Sequence, residues 1–327
     1  MSRLRVGLLA NPAAAFGASH RVGRQVGQLL RLAGVSVVDL SGPTMHVARA
    51  RALEVRDSLT ALVVVGGDGT VALGAEIVAG TPVRLGIVPA GSGNDVARAL
   101  DLPVDDPEAS TRALLHALSR PAVSVDALEV VSAGDQVPHH RSVALGTVNI
   151  GFDAQVNARA NSYRRGRSTR YTAAVLRELL TLHDRPFWIE VDGGPREEIA
   201  TSLLSICSTG WYGGGMHLVP SARMDDGAAD LVTLTGVGRA KLLRFFPRVF
   251  RGTHTGVPGF AVRPVHEVTV GLRTGEAQRA FADGEAAAQL PLTVRVLPGA
   301  VRLLVDPDAL RPAEAAAPEG PDRKEQA

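Results

Sequence analysis

The apolar run Ala61-Leu62-Val63-Val64-Val65 stops abruptly in Gly66-Gly67-Asp68-Gly69-Thr70, and no other stretch constrains the fold as strongly. The run is short, rich in β-branched residues and free of polar ones, which suits a strand buried on both faces of a parallel sheet. Val71 to Ala79 then suits a helix. A strand, a glycine turn and a helix start together make an anion site. Glycines let backbone N–H groups approach closely, and the helix N-terminus adds unpaired donors and a favourable dipole. The turn carries no P-loop lysine, and the only lysines in the chain are Lys241 and Lys324, so it is not a Walker A site.

The flanking sequence repeats the same plan. Leu4 to Ala10, Val35 to Leu40, Ala61 to Val65 and Arg84 to Val88 read as strands. Arg21 to Ala33, Val47 to Leu59, Asn94 to Leu100 and Pro107 to Ser119 read as the helices between and after them. Such alternation predicts a Rossmann-like α/β domain over residues 1–122, with ligands at the carboxyl ends of the strands. After Pro121 the pattern changes to short strands between polar or glycine-rich turns: Val123 to Val131, Ser142 to Ile150, Phe187 to Asp192, Ile199 to Cys207, Asp230 to Leu234, Val268 to Leu272, Leu292 to Leu297 and Val301 to Val305. Residues 123–310 are therefore expected to form a β-rich second domain, interrupted by helices near Tyr171 to Leu182 and Arg239 to Phe250. Residues 311–327, rich in Ala, Pro and charge, suit a disordered tail.

Composition narrows the function classes. A formal net charge of +2 over 327 residues is close to neutral, so the calculated pI of 9.0 reflects Arg usage rather than a nucleic-acid-binding surface, and net charge by itself names no partner. The single cysteine, Cys207, excludes an internal disulfide framework and a cysteine-built zinc site, and its apolar strand suggests a structural thiol. The apolar segment after Arg5 is shorter than a signal core, and no run approaches the ~20 apolar residues of a membrane span. A cytoplasmic protein, touching a membrane only from outside, is expected.

Several constellations carry chemistry. Asn11-Pro12, the Gly66 to Thr70 turn and Pro89-Ala90-Gly91-Ser92-Gly93-Asn94-Asp95 all follow strands, and their convergence points to a nucleotide phosphate site. A carboxylate such as Asp68 is out of place among phosphate-binding amides unless it meets a metal, a cation or a hydroxyl proton. Phe281-Ala282-Asp283-Gly284-Glu285 reads either as an Asp-Gly hairpin turn or as the carboxylate pair that phosphoryl transfer to an alcohol needs. Arg223 to Asp230 reads as a solvated acidic turn or a hard-cation site. The arginine-rich loop Tyr163 to Tyr171 and the segment Phe245 to Arg251 read as solvated or core segments, or as edges facing an anionic membrane. The histidines, including His139-His140, show no metal-ligand spacing.

Taken jointly and in order, these motifs resemble the diacylglycerol kinase catalytic-domain family, which takes in bacterial soluble diacylglycerol kinases, YegS-like lipid kinases, sphingosine kinases and ceramide kinases. The resemblance runs from Asn11 to Glu285 and includes Asn149-Ile150-Gly151-Phe152-Asp153-Ala154, Tyr212-Gly213-Gly214-Gly215-Met216 and Asp226-Gly227. It implies an NAD kinase- or phosphofructokinase-like α/β domain, a C-terminal β-sandwich, and a Mg2+-dependent transfer from ATP to the hydroxyl of diacylglycerol or a related lipid alcohol. It further implies that Asn11, Thr44, Gly66, Gly67, Asp68, Gly69, Thr70, Val71, Gly91, Ser92 and Asn94 serve ATP. Asp68 would also help bind magnesium, Asp283 and Glu285 are the candidates for the general base, and a structural magnesium would fall on Asp226 with the carbonyls of Arg223 and Ala228.

The chain departs from the family pattern in two places. Ala13-Ala14-Ala15 stands where a Ser-Gly often follows Asn-Pro, and Ser92 stands where many bacterial members have Thr, while Asp95 is diacylglycerol-kinase-like. The acceptor lipid stays open. The alternatives are an NAD kinase-like phosphotransferase with a soluble substrate and a non-catalytic lipid- or nucleotide-binding regulator. The expected partners are a lipid substrate and the inner membrane face, with no nucleic acid, and a homodimer is left open.

Overall fold

Four parallel strands, β1 (Arg5–Ala10), β2 (Ser36–Asp39), β3 (Ala61–Gly66) and β4 (Arg84–Pro89), lie in the order β2-β1-β3-β4. Helices α1 (Ala18–Leu32), α2 (Met45–Val55), α3 (Asp68–Val78), α4 (Asp95–Ala99) and α5 (Pro107–Leu118) connect and follow them. These bounds come from a computed structural model that describes residues 4–11, 18–132, 142–151, 183–274 and 277–310. Pro12, Gly17, His139-His140, Phe152 to Ala154, the arginine loop, the helix expected over Tyr171 to Leu182 and the tail lie outside the described residues.

Strand alternation explains why β3 is apolar throughout. Leu62 and Val64 enter one buried cluster with Ile77 and Leu85, while Ala61, Val63 and Val65 enter another with Leu30 and Leu114. Both faces are covered, as a parallel sheet requires. Local signals hold at the helix ends: Asp106 caps α5 by accepting from the Glu108 and Ala109 amides at 3.0 and 2.9 Å, with Pro107 in the first turn. Helix bounds shift by a few residues from expectation: α1 begins at Ala18 rather than Arg21, and α2 spans Met45–Val55 rather than Val47 to Leu59. Helix α3 begins at Asp68 rather than Val71, because the Thr70 and Val71 amides already turn back onto the Gly67 carbonyl at 2.8 and 3.1 Å.

The second half adds β5 (Val123–Ser132), β6 (Ser142–Ala144), β7 (Thr147–Gly151), β8 (Arg185–Val191), β9 (Glu197–Thr201), β10 (Leu203–Cys207), β11 (Trp211–Tyr212), β12 (Met216–His217) and β13 (Ala229–Leu234). Helix α6 (Arg239–Val249), β14 (Phe260–Val265), β15 (Glu267–Leu272), β16 (Arg279–Ala282), β17 (Glu285–Gln289) and β18 (Leu292–Leu303) follow. Strand β18 joins the two halves. It runs antiparallel to β5 along its length, antiparallel to β15 over Leu292 to Arg295 and parallel to β4 at Arg302 and Leu303, so one ten-stranded sheet spans both. A six-stranded sheet, β14-β13-β10-β7-β16-β17, packs on it through Leu128, Val268 and Val294 on one side and Ile150, Leu204 and Ile206 on the other. This is the β-sandwich.

Four expected strands are corrected. Ser142 to Ile150 is two strands, because the amides of Leu145, Gly146 and Thr147 donate to Asp283. Ile199 to Cys207 breaks at Ser202, whose amide donates to the Leu234 carbonyl at 2.9 Å. Leu292 to Leu297 and Val301 to Val305 are one strand with a register shift between Leu297 and Val301.

Asp126 holds that shifted region in place. It is buried in β5, accepting from the Gly227 amide at 2.7 Å and the Gly299 amide at 2.8 Å, while its own amide donates to the Met224 carbonyl at 2.6 Å. Asp126→Ala removes the shared acceptor of two segments distant in sequence and is expected to lower stability by about 1–3 kcal/mol in urea unfolding, with Asp126→Asn in between.

Candidate active site at the glycine turns

Asp68 opens α3 and ties the first glycine turn to the second. Its Oδ2 accepts from the Asn94 amide at 2.8 Å and its Oδ1 from the Val96 amide at 3.2 Å. The turns sit so close that a methyl group on Gly91 would run into the Gly67 Cα, and one on Gly93 would fall 2.6 Å from Asp68 Oδ2. Glycine is required at both positions by close approach. Asn94 is left-handed, with φ 58°; its side chain accepts from the Gly91 amide at 3.0 Å and donates to the Gly91 carbonyl at 3.1 Å. That closes the turn and leaves Ser92 exposed at its tip.

Asn11 joins the same place, its Nδ2 donating to Thr70 Oγ1 at 3.5 Å. Thus Asn11, Gly66, Gly67, Asp68, Gly69, Thr70, Gly91, Ser92 and Asn94 sit on three neighbouring strand ends. Two other expected residues are engaged elsewhere. The Val71 side chain belongs to the buried core, and the Thr44 hydroxyl caps α2 by accepting from the Val47 amide at 3.3 Å.

The second half brings acids to these turns. Asp283 and Gly284 have φ 46° and 83°, so they make the primed turn that suits a two-residue hairpin between β16 and β17. Asp283 is buried; its Oδ2 accepts from the Leu145 amide at 2.8 Å and its Oδ1 from those of Gly146 and Thr147 at 3.0 and 2.8 Å. Glu285, at the start of β17, is exposed and reaches the first glycine turn: a methyl group on Gly69 would fall 2.6 Å from Glu285 Oε1. The hairpin is both a structural turn and the carrier of a carboxylate facing Gly69.

Asp95 makes the other contact between the halves. Its Oδ2 accepts from the Gly214 amide at 2.7 Å and its Oδ1 from the Gly215 amide at 2.9 Å. Gly213, Gly214 and Gly215 all have positive φ, the conformation that presents consecutive amides to one anion. Crowding acids in a buried place raises their pKa values. Burial pushes the Asp68 carboxyl up, with the Val96 and Asn94 amides opposing. Burial and then the Asp68 charge push Asp95 up to about 6. Burial also pushes Asp283 up to about 7, the Thr147 and Leu145 amides opposing and the Asp68 charge adding to the rise.

The acidic turn before β13 has a different character. Arg223 pairs with Asp225, at 3.1 Å from each of two guanidinium nitrogens, and Asp226 Oδ1 accepts from the Ala228 amide at 3.1 Å. Burial, with the Asp226 charge added, pushes the Asp230 carboxyl up to about 6. Among the described residues no group of three or more His, Cys, Asp or Glu gathers as a metal cluster. The donor chemistry fits a magnesium ion held by one carboxylate, backbone carbonyls and water, the set this ion accepts.

Sequence reasoning missed the roles of Asp126 and Asp95. Asp126 carried a signal as the one charged residue among the buried positions of Val125 to Leu128. Its partners, at Gly227 and Gly299, are too far along the chain to infer.

Comparison with known proteins agrees with the fold. Residues 5–128 match the model of the diacylglycerol kinase catalytic domain, and residues 146–305 match that of the YegS C-terminal NAD kinase beta sandwich-like domain. The chain is 33% identical to a diacylglycerol kinase of Mycobacterium tuberculosis over 309 residues, covering 92% of this chain and 94% of the relative. It superposes on the crystal structure of a diacylglycerol kinase from Bacillus anthracis str. Sterne with a TM-score of 0.69 at 18% identity, over 94% of this chain and 99% of that one. An NAD kinase from Archaeoglobus fulgidus in complex with ATP shares the fold at a TM-score of 0.53 and 12% identity, over 94% of this chain and 96% of that one.

The raised carboxyls set a pH dependence. A carboxyl whose folded pKa lies above its ordinary 3.8 holds its proton more tightly when folded, so its stabilising contribution is complete below that value and is lost as pH rises through the folded value, about 6 for Asp95. The stability advantage of the parent protein over Asp95→Asn is therefore expected to be larger at about pH 5 than at about pH 8, measured by thermal unfolding in matched buffers. An advantage that grew with pH would contradict the assignment.

Proposed function

The chain belongs to the diacylglycerol kinase family, and we propose that it transfers the γ-phosphoryl group of ATP to the hydroxyl of diacylglycerol or a related lipid alcohol. The observation that carries this reading is the approach of Glu285, from the sandwich, to Gly69 in the glycine turn of the α/β half. Such a transfer needs amides to cradle the phosphates and a carboxylate to accept the alcohol proton, and it draws these from opposite sides.

In this reading Gly66 to Thr70 and Gly91 to Asn94 hold the phosphates through backbone amides and the α3 N-terminus. Asp68 keeps the two turns in register. Glu285 accepts the proton of the acceptor hydroxyl as its oxygen bonds to the γ-phosphorus and the bond to the departing ADP oxygen breaks. Asp283 is a positioning residue: three amides occupy its oxygens, and its left-handed turn sets where Glu285 emerges. Magnesium, when bound, neutralises phosphate charge; Asp68 would serve it on the nucleotide side, and Asp226 with the Arg223 and Ala228 carbonyls would hold a structural ion.

Incubation with labelled ATP, magnesium and fractionated lipid is expected to place label in a chloroform-soluble product. Glu285→Gln should lower kcat by about 10²–10⁴-fold while keeping the thermal shift produced by ATP. Asp68→Asn should abolish both turnover and that shift, with the fold retained by circular dichroism. Label appearing only in a water-soluble dinucleotide would overturn the lipid reading, and full turnover by Glu285→Gln would remove its role as base.

A further inference from the structure

No helix among the described residues is long and apolar enough to cross a membrane, yet the proposed acceptor resides in one. Between Asp230 and Glu267 the chain has no acidic residue, and the cations of that stretch concentrate in and just after α6. The helix has two distinct sides. Leu242, Phe246 and Val249, at i, i+4 and i+7, pack on the buried cluster that contains Tyr212, Met216 and Leu218. Leu243 and Phe250, one turn of the wheel away, remain 38% and 45% exposed. At 100° per residue, exposed Pro247 lies between Leu243 and exposed Arg244 within the helix, and exposed Phe250 and Arg251 follow directly after its last residue, so apolar side chains and cations share one outward surface. Lys241 and Arg248 stand next to it, the Arg248 guanidinium resting over the Phe245 ring at 4.9 Å. None of these four cations has a carboxylate partner among the described residues.

We propose that this face of α6 is the surface by which the protein docks on a bilayer containing anionic phospholipid, Leu243 and Phe250 entering the acyl boundary while Arg244, Arg251, Lys241 and Arg248 meet the headgroups. Charge selects this occupant. An unbroken cationic face beside exposed apolar side chains matches an anionic interface, whereas a second copy would bring the same four cations against themselves.

The position in the fold supports the same conclusion. The cluster under α6 includes Tyr212 and Met216, which flank the glycines that hold Asp95. The segment leaving α6 returns to the same hairpin. Gly252 is packed where a methyl group would fall 3.0 Å from His217 Nδ1, and His217 stacks on Trp211 at 4.4 Å. One packed layer therefore separates the docking face from the glycine turns. The inference deepens the lipid-kinase reading and rests on it for its purpose.

The test is co-sedimentation of the full chain with vesicles of phosphatidylcholine alone or with phosphatidylglycerol added. Binding to the anionic vesicles alone, weakened by salt, is expected. Arg244→Gln with Arg251→Gln should weaken it by about 30-fold, and Leu243→Ser with Phe250→Ser by about tenfold or more. Arg244→Lys with Arg251→Lys should retain it. Turnover on a short-chain, vesicle-free diacylglycerol should be unchanged in every variant. Equal binding of the parent protein and the glutamine variant, or loss of binding in the lysine variant, would overturn the proposal. So would a dimer in sedimentation velocity that the serine variant dissociates without any vesicle binding. Vesicle binding as described, with no lipid ever phosphorylated, supports this surface and removes the kinase reading instead.

Discussion

Buried and half-buried aspartates accepting backbone N–H bonds from distant segments are the interaction on which the two halves depend. Loops at strand ends leave amides without ladder partners, and a buried amide left unpaired is costly. Asp68 takes those of Asn94 and Val96, Asp95 those of Gly214 and Gly215, Asp283 those of Leu145, Gly146 and Thr147, and Asp126 those of Gly227 and Gly299. Each carboxylate joins segments that the chain alone would not hold together. Two of these ties, Asp95 and Asp283, involve groups whose pKa values the Asp68 charge raises, so the same acids that fix the geometry also make it electrostatically tense.

That tension suits a site for a phosphate ester only in combination with its surroundings. Acids repel phosphate, and amides at the α3 N-terminus and in the Gly91 turn attract it. The structure separates these influences by occupying the acids with amides. Asp68, Asp95 and Asp283 accept two or three N–H bonds each, which offsets part of their negative charge with backbone donors. Glu285 differs in being exposed, and it faces Gly69 from the start of a strand. In the proposed transfer a proton acceptor must meet the incoming hydroxyl, and exposure together with closeness to the turn is what supports Glu285 over its neighbour two residues earlier.

How much of this was legible in the sequence follows from the range of the forces involved. The α/β half was readable because its strands are buried on both faces, so β3 is apolar at every position and ends where the glycines begin. In the sandwich, short strands bend to meet loops. The break at Leu145-Gly146 is caused by Asp283, far along the chain, and no local pattern announces it. Strands β11 and β12 have too few residues for a period to show, and β14 contains Pro264 and mostly exposed side chains, so none of the three looked like a strand. For the site, the glycine turns and Asp283-Gly284-Glu285 were visible as motifs, and the part each acid plays depended on which amides it meets. Val71 and Thr44 show the converse: a residue inside or beside a motif can be taken up by core packing or by a helix cap.

Asp283 shows why a turn and a site need not be alternatives. An Asp-Gly pair in the left-handed region is the ordinary chemistry of a tight hairpin, and this alone would account for both residues. Yet the same φ of 46° turns the Asp283 carboxylate into the sandwich, where Leu145, Gly146 and Thr147 offer their amides, and sends the chain outward again at Glu285. With strand direction reversed within two residues, one carboxylate is anchored inside and the other emerges beside Gly69. A hairpin one residue longer would move Glu285 to the opposite face of β17, because side chains alternate along a strand. The economy of the turn is therefore what gives the second carboxylate its reach.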